Sequence, residues 1–183
     1  ETVIVLDKKI SVKDLTVLGS NVATGTASAT SGTDKADNAF DGDGGTVWAE
    51  TSTSGDRYVD LTLTENKDVS LIAIMESNES GSYKVAGYKL QYKATVTDEE
   101  WTDWFTGTTI GELKVIPLAK HSVTAIRLVI TEAEGAVGIC EMQAYDYEYP
   151  KLSDIKINGQ MISGFAPETA EYNLRIARGN GTT

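Results

Sequence analysis

The sequence predicts an all-β protein: a β-sandwich followed by the start of a second, smaller β unit. Three observations predict this. Several runs alternate apolar and polar residues with the period of two that a strand with one buried face requires. Clusters of Gly, Ser, Asn and Asp separate these runs, and helical periodicity is almost absent. With 183 residues, 40% of them hydrophobic, the chain can form one domain of ordinary size and a small second one.

The strands are predicted in order along the chain. Alternation or a continuous apolar run predicts strands over residues 57–64, 71–75, 86–93, 122–130 and 139–145. The run Leu71–Met75 is wholly apolar, which favours a strand buried on both sides. Only Thr33–Phe40 suggests a helical turn, and His121 is expected to be a solvated loop residue between two strands. Many strands without intervening helices favour a sandwich.

A domain boundary is expected near Pro150, because proline cannot donate a hydrogen bond to a continuing strand ladder. Residues 1–147 then form the sandwich, with 1–10 as a leading strand or linker. Residues 148–151 link it to a truncated unit over 152–183.

Within that second unit, a strand runs into an Asn-Gly hairpin turn at Asn158 and Gly159, and residues 171–176 form another strand candidate. Two or three strands in so short a segment cannot bury a core alone, so the segment is interpreted as the beginning of a further module.

Composition and charge exclude several classes of protein. The net charge of -11 repels nucleic acid, and no apolar run approaches the roughly 18 residues that a membrane span needs. The single cysteine, Cys140, excludes an internal disulfide, and the single histidine, His121, excludes a two-histidine zinc site. No nucleophile elbow or phosphate loop is present, so we expect no catalysis by this segment.

The most distinctive stretch is 37–48, where closely spaced carboxylates and glycines suit a hard cation such as Ca²⁺. It is not an EF-hand, because the twelfth position counted from Asp41 is Ser52 rather than Glu. The composition of this stretch fits a metal loop and a plain polar turn equally well.

Four motifs in the same order resemble discoidin-like domains, also called factor V/VIII type C domains, which include carbohydrate-binding module family 32. The motifs "N-V-A-x-G", "N-A-hydrophobic-D-G-D … T-x-W", "W-x-x-V-D-L" and "I/L-x-E-I/F" correspond to residues 21–25, 38–48, 58–61 and 139–142, with Tyr58 close to the usual Trp and Met142 in the last apolar position. The resemblance implies a galactose-binding-domain-like jelly-roll sandwich with one structural calcium ion. It implies that Cys140 binds the ion through its carbonyl oxygen and that its thiol is inert and buried. The calcium ligands that it implies are Asn38, Asp41, Asp43, Thr46, Cys140 and Glu141.

Two further resemblances are narrower. Residues 101–111 resemble a segment of the discoidin-like domains attached to family 29 α-L-fucosidases, and 152–172 resemble bacterial immunoglobulin-like or cadherin-like modules. We expect Trp48 in the core, and Trp101 and Trp104 on opposite sides of a strand. A sugar site is expected where loops bring together an aromatic ring and polar groups, and the turn 134–138 is a further candidate. The predicted sugar-binding residues are Glu50, Glu76, Asn78, Tyr83 and Lys84.

The function predicted from these observations is a non-catalytic carbohydrate-binding module of a secreted or cell-surface bacterial glycoside hydrolase, with an α-L-fucosidase as the candidate parent. The expected partner is a glycan ending in a galactose-type sugar, with no nucleic acid and no membrane insertion. We expect a monomer within a larger multidomain chain. The alternative is a structural spacer or an adhesive, protein-binding module without sugar affinity, in which the same loops are solvated connectors.

Overall fold

The structure is a computed structural model that describes residues 15, 17–31, 33–50, 57–79, 81–148, 156–157 and 160–161. The chain divides into two compact units, Glu1–Tyr147 and Glu148–Thr183. No helix in the described ranges is long and apolar enough to cross a membrane.

The described part of the first unit contains seven strands and a 3-10 helix, which occupies the segment expected to form a helical turn. In chain order these are β1 (Gly25–Ala29), the helix (Thr33–Ala39), β2 (Trp48–Glu50), β3 (Arg57–Glu76), β4 (Val85–Lys93), β5 (Thr102–Gly107), β6 (Lys114–Ala133) and β7 (Val137–Tyr145).

Two long strands, β3 and β6, connect the two layers of the sandwich. All pairings are antiparallel in the order β2-β7-β3-β6-β4-β5, and β1 pairs with the first half of β3. The second half of β3 pairs instead with β7. The β3–β6 ladder shifts register between Thr62 and Lys67 and again between Val69 and Leu71, so both strands bend from one layer into the other. This arrangement confirms the predicted all-β jelly-roll β-sandwich.

Trp48 lies in the core as expected and has no exposed surface. Residues 71–74 are all buried, as predicted for a strand covered on both faces. Ile72 and Ile74 join the main cluster, whereas Leu71 and Ala73 pack on the other face. The largest fully buried side chains include Trp48, Leu61, Ile72, Ile74, Tyr88, Leu90, Ile126, Leu128, Ile139 and Met142.

The prediction that His121 is a solvated loop residue is wrong. His121 is half-buried within β6 and pairs with Val69 of β3. Its ring stacks on Tyr92, with a centroid distance of 4.7 Å, and meets the edge of Trp104. The polar residues around His121 belong to the bend of a continuous strand rather than to a connection between two strands.

In the second unit, β8 (Lys156–Ile157) pairs antiparallel with β9 (Gln160–Met161). Two residues separate the paired Ile157 and Gln160, as a two-residue hairpin requires. The strand candidate at 171–176 lies outside the described residues. The immunoglobulin-like or cadherin-like nature of this unit stays a prediction.

Candidate functional site

The loop that joins the 3-10 helix to β2 is shaped by its own carboxylates. Asp41 Oδ1 accepts the backbone N–H of Asp43 at 2.8 Å, and Asp43 Oδ1 accepts that of Gly45 at 2.9 Å. Gly42 has a φ of 81°, a conformation that glycine adopts without strain. We call residues 38–46, which include the last two residues of the 3-10 helix, the acidic loop.

Three oxygens of the acidic loop surround one hydroxyl group. Thr46 Oγ1 lies 2.7 Å from Asp41 Oδ2, 2.9 Å from the Asp43 carbonyl and 3.3 Å from the Asn38 carbonyl. The hydroxyl has one hydrogen and can donate it to only one of these acceptors. A cation that prefers carboxylate, carbonyl and hydroxyl oxygens would satisfy all of them, and Ca²⁺ has this preference.

Glu141 on β7 brings a second carboxylate to the acidic loop. The residue is 1% exposed, and its Oε2 accepts the Gly42 N–H at 2.8 Å. Its Oε1 is buried and has no hydrogen-bond partner of acceptable geometry in the described structure. Burial raises the pKa of Glu141 to about 7, and the charges of Asp41 and Asp43 add to the effect. A bound cation would remove this unfavourable burial of charge.

The donor set fits calcium better than a soft metal. Among the described residues, no group of three or more His, Cys, Asp or Glu side chains is placed to hold a metal ion. The predicted calcium set depends instead on two carboxylates together with carbonyl and hydroxyl oxygens, which calcium accepts. Four of its members lie on the acidic loop, and Cys140 and Glu141 are adjacent on β7. Calcium itself stays a prediction.

An open cavity of about 410 Å³ lies against the acidic loop. It contains three of the five predicted sugar-binding residues. Lys84 is not part of the lining, and its Nζ donates to the Ser82 hydroxyl at 2.7 Å. The turn 134–138 is also absent from the lining. We call this space the loop cavity, and its lining residues are Gly44, Gly45, Val47, Met75, Glu76, Ser77, Asn78, Glu79, Tyr83, Glu112 and Cys140.

Glu50 does not reach the loop cavity. It has no exposed surface, and its carboxylate accepts hydrogen bonds from the hydroxyl groups of Thr30 and Ser31. On β2 it shares a face with the buried Trp48, two residues earlier. Glu50 is therefore placed to hold the segment before the 3-10 helix against β2.

Glu76 lines the loop cavity, but its oxygens are engaged. It is 4% exposed, and Oε1 accepts the backbone N–H groups of Lys84 and Val85. Oε2 accepts the N–H of Gly111 at 3.0 Å. One carboxylate thus joins the end of β3 to the start of β4 and to the segment before β6. Glu76 builds the cavity, and other side chains must contact a ligand.

The accessible groups in the loop cavity are Tyr83, Asn78, Glu79 and Glu112. Tyr83 is 38% exposed, and the other three are exposed. The lining contains three glutamates and no Lys, Arg or His. Glu79 lies in the same polar loop as Asn78 but was not among the predicted residues. Glu112 is distant in sequence, and only the fold brings it to this loop.

Cys140 also lines the loop cavity, and it is half-buried rather than buried. Burial raises the pKa of the Cys140 thiol, and a hydrogen bond with Ser77 partly offsets this increase. The negative charges of nearby glutamates, of which Glu79 has the largest effect, raise the pKa further. These effects together disfavour the thiolate, and the inert role of the thiol stays a prediction.

A family model described as the F5/8 type C domain matches residues 24–142, well over half of the chain. The chain belongs to the F5/8 type C domain family. The predicted discoidin-like resemblance is thereby confirmed. No curated protein sequence matches this F5/8 type C domain.

Solved structures of chitosan-binding modules and of fucosidases show the same fold. Chitosan-binding module 1 of a chitosanase/glucanase from Paenibacillus sp. IK-5 is 23% identical with a TM-score of 0.60; the alignment covers 69% of this chain and 98% of that one. Module 2 of the same enzyme, in complex with chitotriose, is 20% identical with a TM-score of 0.59. The alignment covers 68% of this chain and 99% of that module. A GH29 fucosidase from Ruminococcus gnavus, in complex with fucose, is 18% identical with a TM-score of 0.60, covering 74% of this chain and 28% of the fucosidase.

The F5/8 type C domain has a second cleft, of about 390 Å³, on the outer face of the strands β3, β6 and β4. Here the Arg127 guanidinium stacks on the rings of Tyr58 and Trp101. Its Cζ lies 3.7 Å from the centroid of the Tyr58 ring and 4.0 Å from that of the Trp101 ring. Its Nε and Nη2 donate to Asp60 Oδ2 at 3.1 and 2.6 Å. Trp104 packs against the core instead, so the two tryptophans face different sides, but Trp101 directly precedes β5 rather than lying in the strand as expected. We call this space the sheet cleft.

Proposed function

We propose that this F5/8 type C domain is a non-catalytic carbohydrate-binding module that binds glycan in the loop cavity. The observation that carries the proposal is the combination, in one open cavity, of the exposed Tyr83 ring with the polar side chains of Asn78, Glu79 and Glu112. Flat apolar sugar faces pack on aromatic rings, and sugar hydroxyls exchange hydrogen bonds with amides and carboxylates. The chitotriose complex of a module with the same fold supports this assignment.

The charge of the loop cavity favours an amino sugar over the neutral galactose-type sugar expected from the sequence. Three glutamates line the cavity without a lining cation, and a protonated amine would be attracted to them. Two of the solved structures with this fold are named as chitosan-binding modules, and chitosan is a polymer of glucosamine. We therefore propose a glucosamine-type unit as the ligand and keep galactose and fucose as comparison sugars.

Titration calorimetry with chitotriose, its fully N-acetylated form, galactose and fucose tests this proposal. Shallow sites of this kind give dissociation constants of roughly 0.1 to 1 mM. Tyr83→Ala and Asn78→Ala should each weaken binding by about tenfold, since one lost contact removes about 1.4 kcal/mol. The matched control is Val96→Ala, because Val96 is 83% exposed and lies outside the cavity.

The outcomes separate the alternatives. Equal affinity for chitotriose and its N-acetylated form would exclude the amino-sugar assignment but leave sugar binding intact. Binding that survives both substitutions would move the site away from the loop cavity. A protein that binds no glycan at all would support the spacer or adhesion alternative.

The same proposal includes one structural Ca²⁺ held by the acidic loop and β7. Asp41 and Glu141 would supply carboxylates, Asn38, Asp43 and Cys140 carbonyls, and Thr46 its hydroxyl. The orphaned Oε1 of Glu141 and the crowded acceptors around Thr46 support this ion.

We further propose that the domain is a monomeric part of a secreted or cell-surface bacterial glycoside hydrolase, since solved chains with this fold include chitosanase/glucanase modules and fucosidases.

A further inference from the structure

The acidic loop and the loop cavity share part of their structure. Gly44 and Gly45 of the acidic loop line the loop cavity, between Asp43 and Thr46, which belong to the cation set. Cys140 also lines the cavity, and it directly precedes Glu141 on β7. One short segment therefore supplies oxygens for the cation and a wall for the sugar.

This wall has no side chains of its own to hold it in place. Gly44 and Gly45 cannot pack into the core, so backbone hydrogen bonds fix their position. The Gly45 N–H donates to Asp43 Oδ1, and the Thr46 N–H donates to the Asp43 carbonyl at 3.0 Å. The wall therefore depends on the position of Asp43 and its neighbours.

Without a cation, the groups that position the wall repel one another. Asp41, Asp43 and Glu141 bring three carboxylates to this end of the domain, and the described structure pairs none of the three with Lys or Arg. Their mutual repulsion favours a looser acidic loop, because separation lowers the Coulomb energy. A cation that binds the loop oxygens reverses this and orders the two glycines that face the sugar.

We propose that calcium and sugar binding are positively coupled through Gly44 and Gly45. The proposal rests on the glycan site assigned above. Calcium in the acidic loop orders the cavity wall before the sugar arrives, so the sugar loses less binding free energy to ordering. Thermodynamic linkage requires the reciprocal effect: a bound sugar raises calcium affinity by the same factor.

Calcium also adds positive charge near the cavity, which opposes a cationic sugar. Raising the sodium chloride concentration to about 0.5 M shortens the range of this repulsion and leaves the ordering effect. The coupling is therefore measured with chitotriose at low and high salt, and with its neutral N-acetylated form.

The experiment measures chitotriose affinity by titration calorimetry on the full chain, with excess Ca²⁺ and with EDTA, at a temperature where circular dichroism shows both forms folded. We expect the dissociation constant to be about fivefold to tenfold lower with Ca²⁺, within the usual range of coupling. A calcium-sensitive dye, used in competition with and without saturating chitotriose, should report the same factor. Val96→Ala should retain the full coupling.

Asp41→Asn should bind chitotriose with the affinity of the EDTA-treated protein and no longer respond to Ca²⁺. Thr46→Val serves the same purpose if Asp41→Asn does not fold. Equal sugar affinity with Ca²⁺ and EDTA at both salt concentrations, for both sugars, would overturn the coupling and leave the glycan site in place. Absence of sugar binding under every condition would overturn the glycan site and the coupling together.

Discussion

The loop cavity and the sheet cleft are similar in size, about 410 and 390 Å³, but their carboxylates are satisfied in different ways. At the sheet cleft, Asp60 is paired with Arg127 and Asp103 with Lys89. At the loop cavity, the buried Glu76 accepts hydrogen bonds from backbone N–H groups. At the neighbouring acidic loop, Glu141 retains an oxygen without a hydrogen-bond partner in the described structure. The two aspartates beside the sheet cleft are thus paired with cations, whereas Glu76 and Glu141 accept hydrogen bonds from neutral backbone N–H groups.

This difference indicates which region is available for a ligand. A carboxylate that is already paired with an arginine or lysine gains little from a further cation, because its charge is balanced. A carboxylate held by neutral donors keeps its charge, so calcium or a protonated amine can interact with it. The sheet cleft is therefore interpreted as a structural feature and the loop cavity as the functional one. Four predictions test this distinction, in order of decreasing expected effect.

The largest effect is expected for Glu76→Ala. It leaves the N–H groups of Lys84, Val85 and Gly111 without their acceptor, and each unsatisfied buried donor costs about 1 to 3 kcal/mol. We expect the free energy of unfolding to fall by about 3 kcal/mol or more in urea denaturation. The exposed Glu79 on the same loop is the control, and Glu79→Ala should change stability by less than about 0.5 kcal/mol. A fully stable Glu76→Ala protein would contradict the role assigned to Glu76 in building the cavity.

The second prediction concerns Arg127→Met, which removes the cation from the sheet cleft. The substitution leaves the 6% exposed Asp60 with the Ser28 hydroxyl as a hydrogen-bond donor but without a cation, and it removes the stacking on Tyr58 and Trp101. We expect a loss of about 3 kcal/mol in unfolding free energy. Chitotriose affinity should stay unchanged in the folded variant. If sugar binding disappears while circular dichroism shows an intact fold, the sheet cleft is the ligand site. The roles assigned to the sheet cleft and the loop cavity would then be exchanged.

The third prediction concerns calcium. At a free Ca²⁺ concentration of about 100 times its dissociation constant, binding should add about 2.7 kcal/mol to the free energy of unfolding. EDTA should therefore lower the melting temperature measured by calorimetry, and Asp41→Asn should abolish the difference between the two conditions. An unchanged melting temperature in EDTA, with no ion detected by mass spectrometry of the native protein, would exclude the calcium site.

The smallest effect is expected for Lys89→Ala, which breaks an exposed ion pair with Asp103. Such pairs contribute less than about 1 kcal/mol. Hydrogen bonds from Gln91 and Lys89 lower the pKa of Asp103, so the small stabilisation is present above the ordinary Asp pKa and is lost as pH falls below it. The pH dependence of urea denaturation for wild type and variant measures this. A loss of unfolding free energy as large as that of Arg127→Met would contradict this prediction. It would show that the exposed Lys89–Asp103 pair stabilises the fold as much as the more buried Arg127–Asp60 pair.

Most of the fold could be predicted from local patterns. Period-two alternation located the strands, and the ordered motifs indicated the discoidin-like jelly roll. The continuity of β3 and β6 could not be predicted, because the polar residues at their bends, such as those around His121, resemble a turn in sequence. The structure keeps them in strands by shifting the ladder register, which is a property of the partner strand and is not encoded locally.

The candidate site was predicted only in part, because polarity does not distinguish a ligand contact from a buried acceptor. Glu50 and Glu76 were selected as sugar-binding residues, yet both are buried. Strand periodicity contained the missing signal: Glu50 is two residues from Trp48, and Glu76 is two residues from Ile74, so each shares a face with core residues. Glu112 had no local signal, since the approach of its segment to the loop after β3 is a tertiary contact.

The passage of β3 and β6 through both layers has a consequence for how the domain folds. Arg57 pairs with Ile130 at one end of the β3–β6 ladder, and Ile74 pairs with Lys114 at its other end. Each layer therefore forms its ladder from strands that continue into the other layer. Loops of tens of residues must close before these pairings form, which slows folding relative to proteins with local contacts. The sandwich should therefore gain and lose its structure in one slow cooperative transition, without an intermediate in which a single layer is folded.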